Sequence, residues 1–259
     1  MARNAAENRY RHIVELVRQR GYVSNEELAK GFGVTVQTVR RDVNRLSERG
    51  EVCRHHGGAG LASSIENIDY SQRLTISSRQ KAAIAKLTAA HIPNHSSLFI
   101  NIGTTTEMLA QALVAHQGLR VITNDLNVAL TLSRNTSFTV MVTGGTVRNR
   151  DGGIVGQSAC EMIGRFSVDY GIIGISGIDE TGALLDFDDE EVRAARAIMD
   201  NSRHTYLLAD YTKFSRHPMV RLGSLTEITA LFTDRSPPPA ICDLLSARGV
   251  GLHIAPTTA

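Results

Sequence analysis

The sequence predicts a two-part α/β protein: a winged helix-turn-helix head followed by a mainly parallel α/β body. Three observations lead there. The stretch Thr35 to Arg49 places Val36, Val39, Val43 and Leu46 at helical spacing and leaves Gln37, Thr38, Arg40, Arg41, Asn44 and Arg45 on the remaining surface. Charge is unevenly spread: residues 1 to 60 hold eleven Lys+Arg against seven Asp+Glu, and the rest of the chain seventeen against nineteen. A basic head on a mildly acidic body is expected where the head meets a polyanion. Beyond residue 80, short apolar runs alternate with helical patterns, as in a parallel sheet wrapped by helices. At 259 residues the chain is long enough for both parts. The expected boundaries are a head at 1–60, a linker at 61–79 and a body at 80–259.

The head reads in order. Glu7 to Arg20 is a helix with Ile13, Leu16 and Val17 inward, ended by Gly21. Ser24-Asn25-Glu26-Glu27 has the form of a capping box before Leu28 and Ala29. Gly31-Phe32-Gly33-Val34 is expected to turn, and the basic helix follows, with Thr35 as N-cap and Gly50 as its stop. Helix, short helix, glycine turn, basic helix is the order of a helix-turn-helix. Its outward residues suit a major groove: Arg pairs with guanine, Gln and Asn with adenine, and Thr meets a thymine methyl or a phosphate. Arg54, His55 and His56 follow in an extended piece, where a wing would contact phosphate. Adjacent histidines diverge on a strand, so no metal site is read there.

Gly57 to Ser64 is small and flexible in composition and is expected to hinge; residues 65 to 75 show no clear period. An alanine-rich helix then begins at Ser77 or Ser78 and runs to about His91, with Ala83, Ile84, Leu87 and Ala90 on one side.

The body's expected strands are Leu98–Ile102, Arg120–Thr123, Phe138–Thr143, Tyr170–Ile175, Thr205–Ala209, Ala230–Thr233 and Gly251–Ile254. The expected helices are Glu107–Val114, Leu126–Arg134, Ser158–Gly164, Glu190–Arg203 and Pro239–Ala247. Ligands of such sheets bind at the carboxyl ends of the strands. The first strand ends in Gly103-Thr104-Thr105-Thr106, a glycine and three hydroxyls before a helix, which suits an anion. Later strand ends offer Asn124 and Asp125, Gly145 and Arg148, Gly177 and Asp179, and Lys213. Lys213 and Arg148 are expected to neutralise a phosphate, and Asn124 and Asp125 to take hydroxyls. A carboxylate at 125 repels a nearby phosphate, so its role is with a hydroxyl or structural. The acids from Asp186 to Glu191 complement a helix N-terminus.

The run Tyr22-Val23-Ser24-x-x-Glu27-Leu28-Ala29, then Val34-Thr35-x-x-Thr38-Val39-Arg40-Arg41-Asp42, then Arg54-x-His56-Gly57-Gly58-Ala59, resembles the N-terminal motif of the DeoR family of bacterial transcriptional repressors. Thr35 and Val39 stand where that family usually has Ser and Ile. Gly103-Thr104-Thr105, Thr123-Asn124, Gly144-Gly145, Gly153–Gly156, Gly174–Gly177 and Asp210-x-x-Lys213-Phe214 resemble the family's C-terminal sensor domain, which is similar in fold to ribose-5-phosphate isomerase. Phe99 to Glu107, Gly174 to Asp179 and Leu185 to Arg193 look most like those members that govern glycerol 3-phosphate use. Asp125 departs from the usual Asn or Ser, and Tyr211-Thr212 from a usual serine-containing pair.

The resemblance implies a repressor released from double-stranded operator DNA by a phosphorylated polyol or sugar, sn-glycerol 3-phosphate above all, and controlling a carbon-catabolism operon. It also implies a homo-oligomer, dimer or tetramer. The competing reading is a sugar-phosphate isomerase-like enzyme with an appended DNA-binding head, against which stands the lack of a clear catalytic motif. No cofactor or metal is implied: Cys53, Cys160 and Cys242 are far apart and form no C-x-x-C pair. Three free thiols, no apolar signal core and no membrane-spanning run lead to an expected cytoplasmic location.

Overall fold

The computed structural model describes residues 2–20, 22–49, 51–55, 57–60, 67 and 69–256. In the head, α1 (Ala2–Arg20) is followed by β1 (Tyr22–Ser24), α2 (Asn25–Phe32) and α3 (Val36–Glu48). Ser24 caps α2 by accepting from the Glu27 N–H. Gly33 ends that helix in the left-handed region, φ 63°, where only glycine is unstrained. Gly31 and Phe32, expected in the turn, therefore belong to the helix. Thr35 caps α3 through the Thr38 N–H at 3.2 Å. Gly50, the expected stop, lies outside the described residues; α3 closes on Arg49, whose N–H reaches the Arg45 carbonyl.

Val39, Val43 and Leu46 of α3 pack with Ile13, Val17 and Leu28 into the head's own core. Each such fully buried side chain contributes roughly 1.5–3 kcal/mol. Asp42 is buried on the same face and pairs with Arg9 of α1, an anchor the sequence reading left out. The strands β2 (Cys53–His55) and β3 (Gly58–Gly60) form the wing, with β3 pairing antiparallel to both β1 and β2. Gly58 to Gly60 is thus strand, not hinge; the remainder of the expected hinge, residues 61–64, lies outside the described residues.

The body starts earlier than its strands. A helix the sequence reading did not anticipate, α4 (Tyr70–Thr75), lies within the expected linker, and α5 (Ser78–Ala89) follows. Next come β4 (Ser97–Ile100), α6 (Thr104–Leu113), β5 (Arg120–Thr123), α7 (Leu126–Leu132) and β6 (Thr139–Val142). A small ribbon of β7 (Thr146–Val147) and β8 (Ile154–Val155) precedes α8 (Gln157–Ile163) and β9 (Val168–Gly174). The chain continues through β10 (Gly177–Ile178), β11 (Ala183–Asp186), α9 (Asp189–Asp200) and β12 (Ser202–Leu208). A 3-10 helix (Tyr211–Ser215), β13 (Val220–Ser224), β14 (Ala230–Thr233), α10 (Pro239–Ala247) and β15 (Gly251–Ile254) complete it.

All seven expected strands form one parallel sheet, in the order β15-β14-β12-β9-β4-β5-β6. Alternate residues face opposite layers. Leu98 and Ile100 pack with Ile84, Leu109 and Val128 under α5, α6 and α7, whereas Phe99 packs with Ile163, Val192 and Ile241 under α8, α9 and α10. Strand order runs one way from β4 through β6 and the other way from β9 through β15. The reversal at β4 and β9 opens a crevice at their carboxyl ends, the place where such sheets take ligands. A second, antiparallel sheet, β10-β11-β13, flanks that crevice. No described helix is long and apolar enough to cross a membrane.

Candidate functional site

At the β4/β9 reversal a small cavity is lined by Gly103, Thr104, Thr105 and Thr106 from the start of α6, and by Gly174 to Ser176 after β9. Arg73, Asp186, Glu191 and Lys213 complete it. Gly103 precedes the first turn of α6, so the three threonines are helical rather than a loop before the helix. Their hydroxyls divide: Thr106 donates to the Gly103 carbonyl at 2.7 Å, Thr104 accepts from the Lys81 ammonium at 2.9 Å, and Thr105 lines the cavity.

Three cationic side chains, Lys81, Lys213 and Arg73, converge on this helix end. Burial lowers Lys81 to about 8 and Lys213 to about 7, Arg216 adding to the depression of Lys213. Arg73 comes from α4, and its carbonyl also takes the Lys81 ammonium. Asp210 balances the lysines: burial opposes its ionisation, but Lys213 and Lys81 hold it below the usual carboxylate range. The acids in the same lining are pushed the other way. Burial raises Asp186, and burial together with Asp186 raises Glu191 to about 7. The cavity is therefore lined by cations and carboxyl groups together. Its free volume is about 30 Å³, room for a water or two.

Of the residues expected at this site, Gly103, Thr104, Thr105, Thr106 and Lys213 line the cavity. The others do not. Arg148 is consumed by carboxylates, pairing with Asp151 at 2.7 Å, Glu191 at 2.8 Å and Asp188 at 2.9 Å. It braces Glu191 from behind and has no face left for a phosphate. Asp125, raised to about 6 by burial, caps α7 through the Asn127 and Val128 N–H groups and accepts from Gly103 N–H at 3.4 Å. Its role is thus structural, and it takes up one donor that an anion would want. Asn124 is buried behind the wall, its amide donating to the Ile154 carbonyl at 3.2 Å. Gly145 packs on the Val155 carbonyl, and Gly177 on Arg216 and Pro218, where a Cβ would collide. Asp179 holds the β10–β11 turn by accepting from the Thr181 and Ala183 N–H groups.

Sequence reasoning missed Lys81 and Arg73. Lys81 stands at the buried face of α5 with Ile84, Ala85 and Thr88, spaced at three, four and seven residues. A lysine at a core position was the available signal. Arg73 had none, because α4 buries no residue.

The head presents two faces of α3. Gln37 and Arg41 are exposed. Arg40, also exposed, and the half-buried Asn44 and Ser47, at i, i+4 and i+7, line a crevice of about 830 Å³ shared with the body. Thr35 and Thr38 hydroxyls are 2.9 Å apart at the helix start. Arg45 donates to the Tyr10 hydroxyl at 3.2 Å, and Arg54 of the wing donates to Asn44 at 3.1 Å. The His55 side chain and His56 lie outside the described residues.

The chain matches the DeoR-like helix-turn-helix domain over residues 9–65 and the DeoR C terminal sensor domain over residues 76–235. It belongs to the DeoR family. It is 47% identical over 246 residues to the glycerol-3-phosphate regulon repressor of Escherichia coli K12, covering 95% of this chain and 98% of that one. It is 49% identical over 229 residues to the glycerol-3-phosphate regulon repressor of Haemophilus influenzae, covering 88% and 89%. Among solved structures, ribose 5 phosphate isomerase A from Neisseria gonorrhoeae resembles it at TM-score 0.39 and 12% identity, over 52% of each chain. Helix α4, which carries Arg73, lies between the two matches, and α5, which carries Lys81, stands at the start of the second.

Proposed function

We propose that this DeoR-family regulator is a cytoplasmic repressor that holds operator DNA through α3 and the wing, and releases it when sn-glycerol 3-phosphate occupies the cavity at the β4/β9 reversal. The observation that carries the reading is the convergence of Lys81, Lys213 and Arg73 on the N-terminus of α6. Ammonium groups, free helix N–H groups and the helix dipole together favour a phosphate dianion. Ser176, Asp186 and Glu191 in the same lining supply acceptors for the hydroxyls of a short polyol. The names of the two bacterial repressors at 47% and 49% identity agree with that chemistry.

On the DNA side, Gln37, Thr38, Arg40 and Arg41 read bases, with Asn44, Arg45, Arg54 and His55 at the margins. One short head covers little DNA, so two heads of a dimer or tetramer reading paired half-sites fit the size of a specific interface. A monomer at micromolar concentration that still holds one operator tightly would contradict the oligomer.

Calorimetry tests the effector. The parent chain should bind sn-glycerol 3-phosphate but neither glycerol nor inorganic phosphate with comparable strength. Thr105→Val and Lys213→Ala should each weaken that binding and leave operator affinity intact. If both variants bind glycerol 3-phosphate as the parent does, the phosphate is placed wrongly. The enzyme reading has one observation in its favour, a carboxyl at Glu191 titrating near neutrality beside the cavity. Turnover of ribose 5-phosphate by the purified chain would support it, and its absence is expected.

A further inference from the structure

The cavity is far smaller than a small-molecule site, which typically offers roughly 300 Å³ or more; here about 30 Å³ is free. A polyol phosphate therefore has to push part of the lining outward. Gly103 to Thr106 and Gly174 to Ser176 hang on central strands held by core on both sides. Lys213 instead projects from a short turn, the 3-10 helix Tyr211–Ser215, whose Phe214 packs on the core. The turn's backbone is fixed by the Asp234 carboxylate to the Tyr211 N–H at 2.7 Å, and by Asp210 to the Thr212 and Lys213 N–H groups at 3.0 Å. Packed strands resist deformation, so the walls that can yield are the short segments: this turn, and α4 with Arg73, which buries no residue.

The turn has a second side. Lys213 lines the cavity, while Tyr211, Thr212 and Phe214 of the same turn line the crevice between body and head. Across the crevice stand Arg40, Asn44 and Ser47 of the recognition helix and Cys53 of the wing. Asn44 and Ser47 are half-buried there, and Arg40 at the rim is exposed. In this posture the Arg40–Asn44–Ser47 stripe faces the body across the crevice.

Resting on the effector reading above, we infer that the 3-10 helix Tyr211–Ser215 transmits occupancy: a ligand that displaces Lys213 outward drives Tyr211, Thr212 and Phe214 into the crevice and stabilises the head docked on the body, with its recognition stripe withheld from the operator. The crevice supplies the space for that movement. Ligand and operator then compete through head posture, and the ligand shifts the equilibrium only by its preference for the docked state.

The test uses the full-length chain with Cys160→Ser and Cys242→Ser, so that Cys53 in the crevice is the one thiol. Tyr211 lies in the crevice and outside the cavity, and Tyr211→Ala removes the largest crevice-facing ring of the 3-10 helix. Without any ligand, alkylation of Cys53 by N-ethylmaleimide should be severalfold faster in Tyr211→Ala than in the parent, because the docked posture shields it. Equal rates would overturn the docking. With sn-glycerol 3-phosphate, the parent should lose roughly 5- to 150-fold in operator affinity, a range typical of allosteric coupling. Tyr211→Ala should keep calorimetric binding of glycerol 3-phosphate and lose most of that release. Release equal to the parent's overturns the transmission role. If the parent itself binds no glycerol 3-phosphate, the effector reading fails, and the ligand-free alkylation rates still decide whether the 3-10 helix holds the head.

Discussion

Replacing Arg148 with alanine separates a structural cation from a ligand-binding one. The guanidinium is about one-tenth exposed and meets three carboxylates: Asp151, 1% exposed, Glu191, 15%, and Asp188, 25%. Removing one partner of a buried ionic cluster costs about 3–5 kcal/mol, because the others are left as uncompensated buried charge. Two features bring the expectation to the low end. Arg73 still reaches Asp151 at 3.4 Å and Arg150 still reaches Asp188 at 2.9 Å. Glu191, raised to about 7 by burial and Asp186, relieves its own charge by taking a proton near neutral pH. A loss of about 3 kcal/mol in a body of this size corresponds to a Tm drop of roughly 6–12 °C. Thermal unfolding of ligand-free Arg148→Ala, followed by circular dichroism at neutral pH, measures it. An unchanged Tm combined with lost glycerol 3-phosphate binding would refute the structural role and return Arg148 to the phosphate.

Glycerol 3-phosphate affinity should fall as pH rises through about 7 and 8, since Lys213 and then Lys81 must take up a proton to meet the anion. The sign follows from depressed lysine pKa values in the free protein, and the slope approaches about tenfold per unit for each proton taken up; a flat calorimetric profile would contradict it. Gly58→Ala should unpair the wing, because a Cβ there meets the Val23 carbonyl and the Tyr22 ring. Overpacking of this kind costs about 1–3 kcal/mol; operator affinity should drop while calorimetric ligand binding holds, and parent-like operator affinity would count against the wing geometry. Arg41→Ala, on the exposed face of α3, should cost about 1–3 kcal/mol of operator binding with relaxed preference at one base if it reads guanine. Full retention of affinity in both Arg41→Ala and Arg40→Ala would remove α3 from recognition.

Much of the fold was legible because its signals are local and periodic. The seven strands of the parallel sheet are apolar runs with β-branched residues; inner strands such as β4 and β14 are buried on both faces, whereas the edge strands β6 and β15 have no buried residue. Helix α3 was legible because its caps and its apolar face agree. The antiparallel sheet β10-β11-β13 was not, since two residues of β10 among glycines carry no period, and its pairing reaches across to β13. Helix α4 was invisible for the same reason: Tyr70 to Thr75 buries nothing, and it is fixed by long-range bonds such as Tyr70 hydroxyl to Glu107 at 2.8 Å. At the cavity, the glycine-threonine turn and Lys213 carried their chemistry in adjacent letters. Arg148 and Asp179 also looked like ligands, and no local pattern reveals that three distant carboxylates claim the first and a hairpin turn the second. Lys81 was readable in principle, as a charge on a core-spaced helix face whose burial only a charged neighbour or ligand would justify.

The most direct test is operator affinity with and without sn-glycerol 3-phosphate, measured on the full chain with a duplex selected from a random library for tightest binding. Saturating sn-glycerol 3-phosphate should weaken binding by roughly 5- to 150-fold at fixed salt, while glycerol and inorganic phosphate at the same concentration leave it unchanged. Operator affinity that stays the same at saturating glycerol 3-phosphate would contradict the assignment of this chain as a repressor released by that ligand.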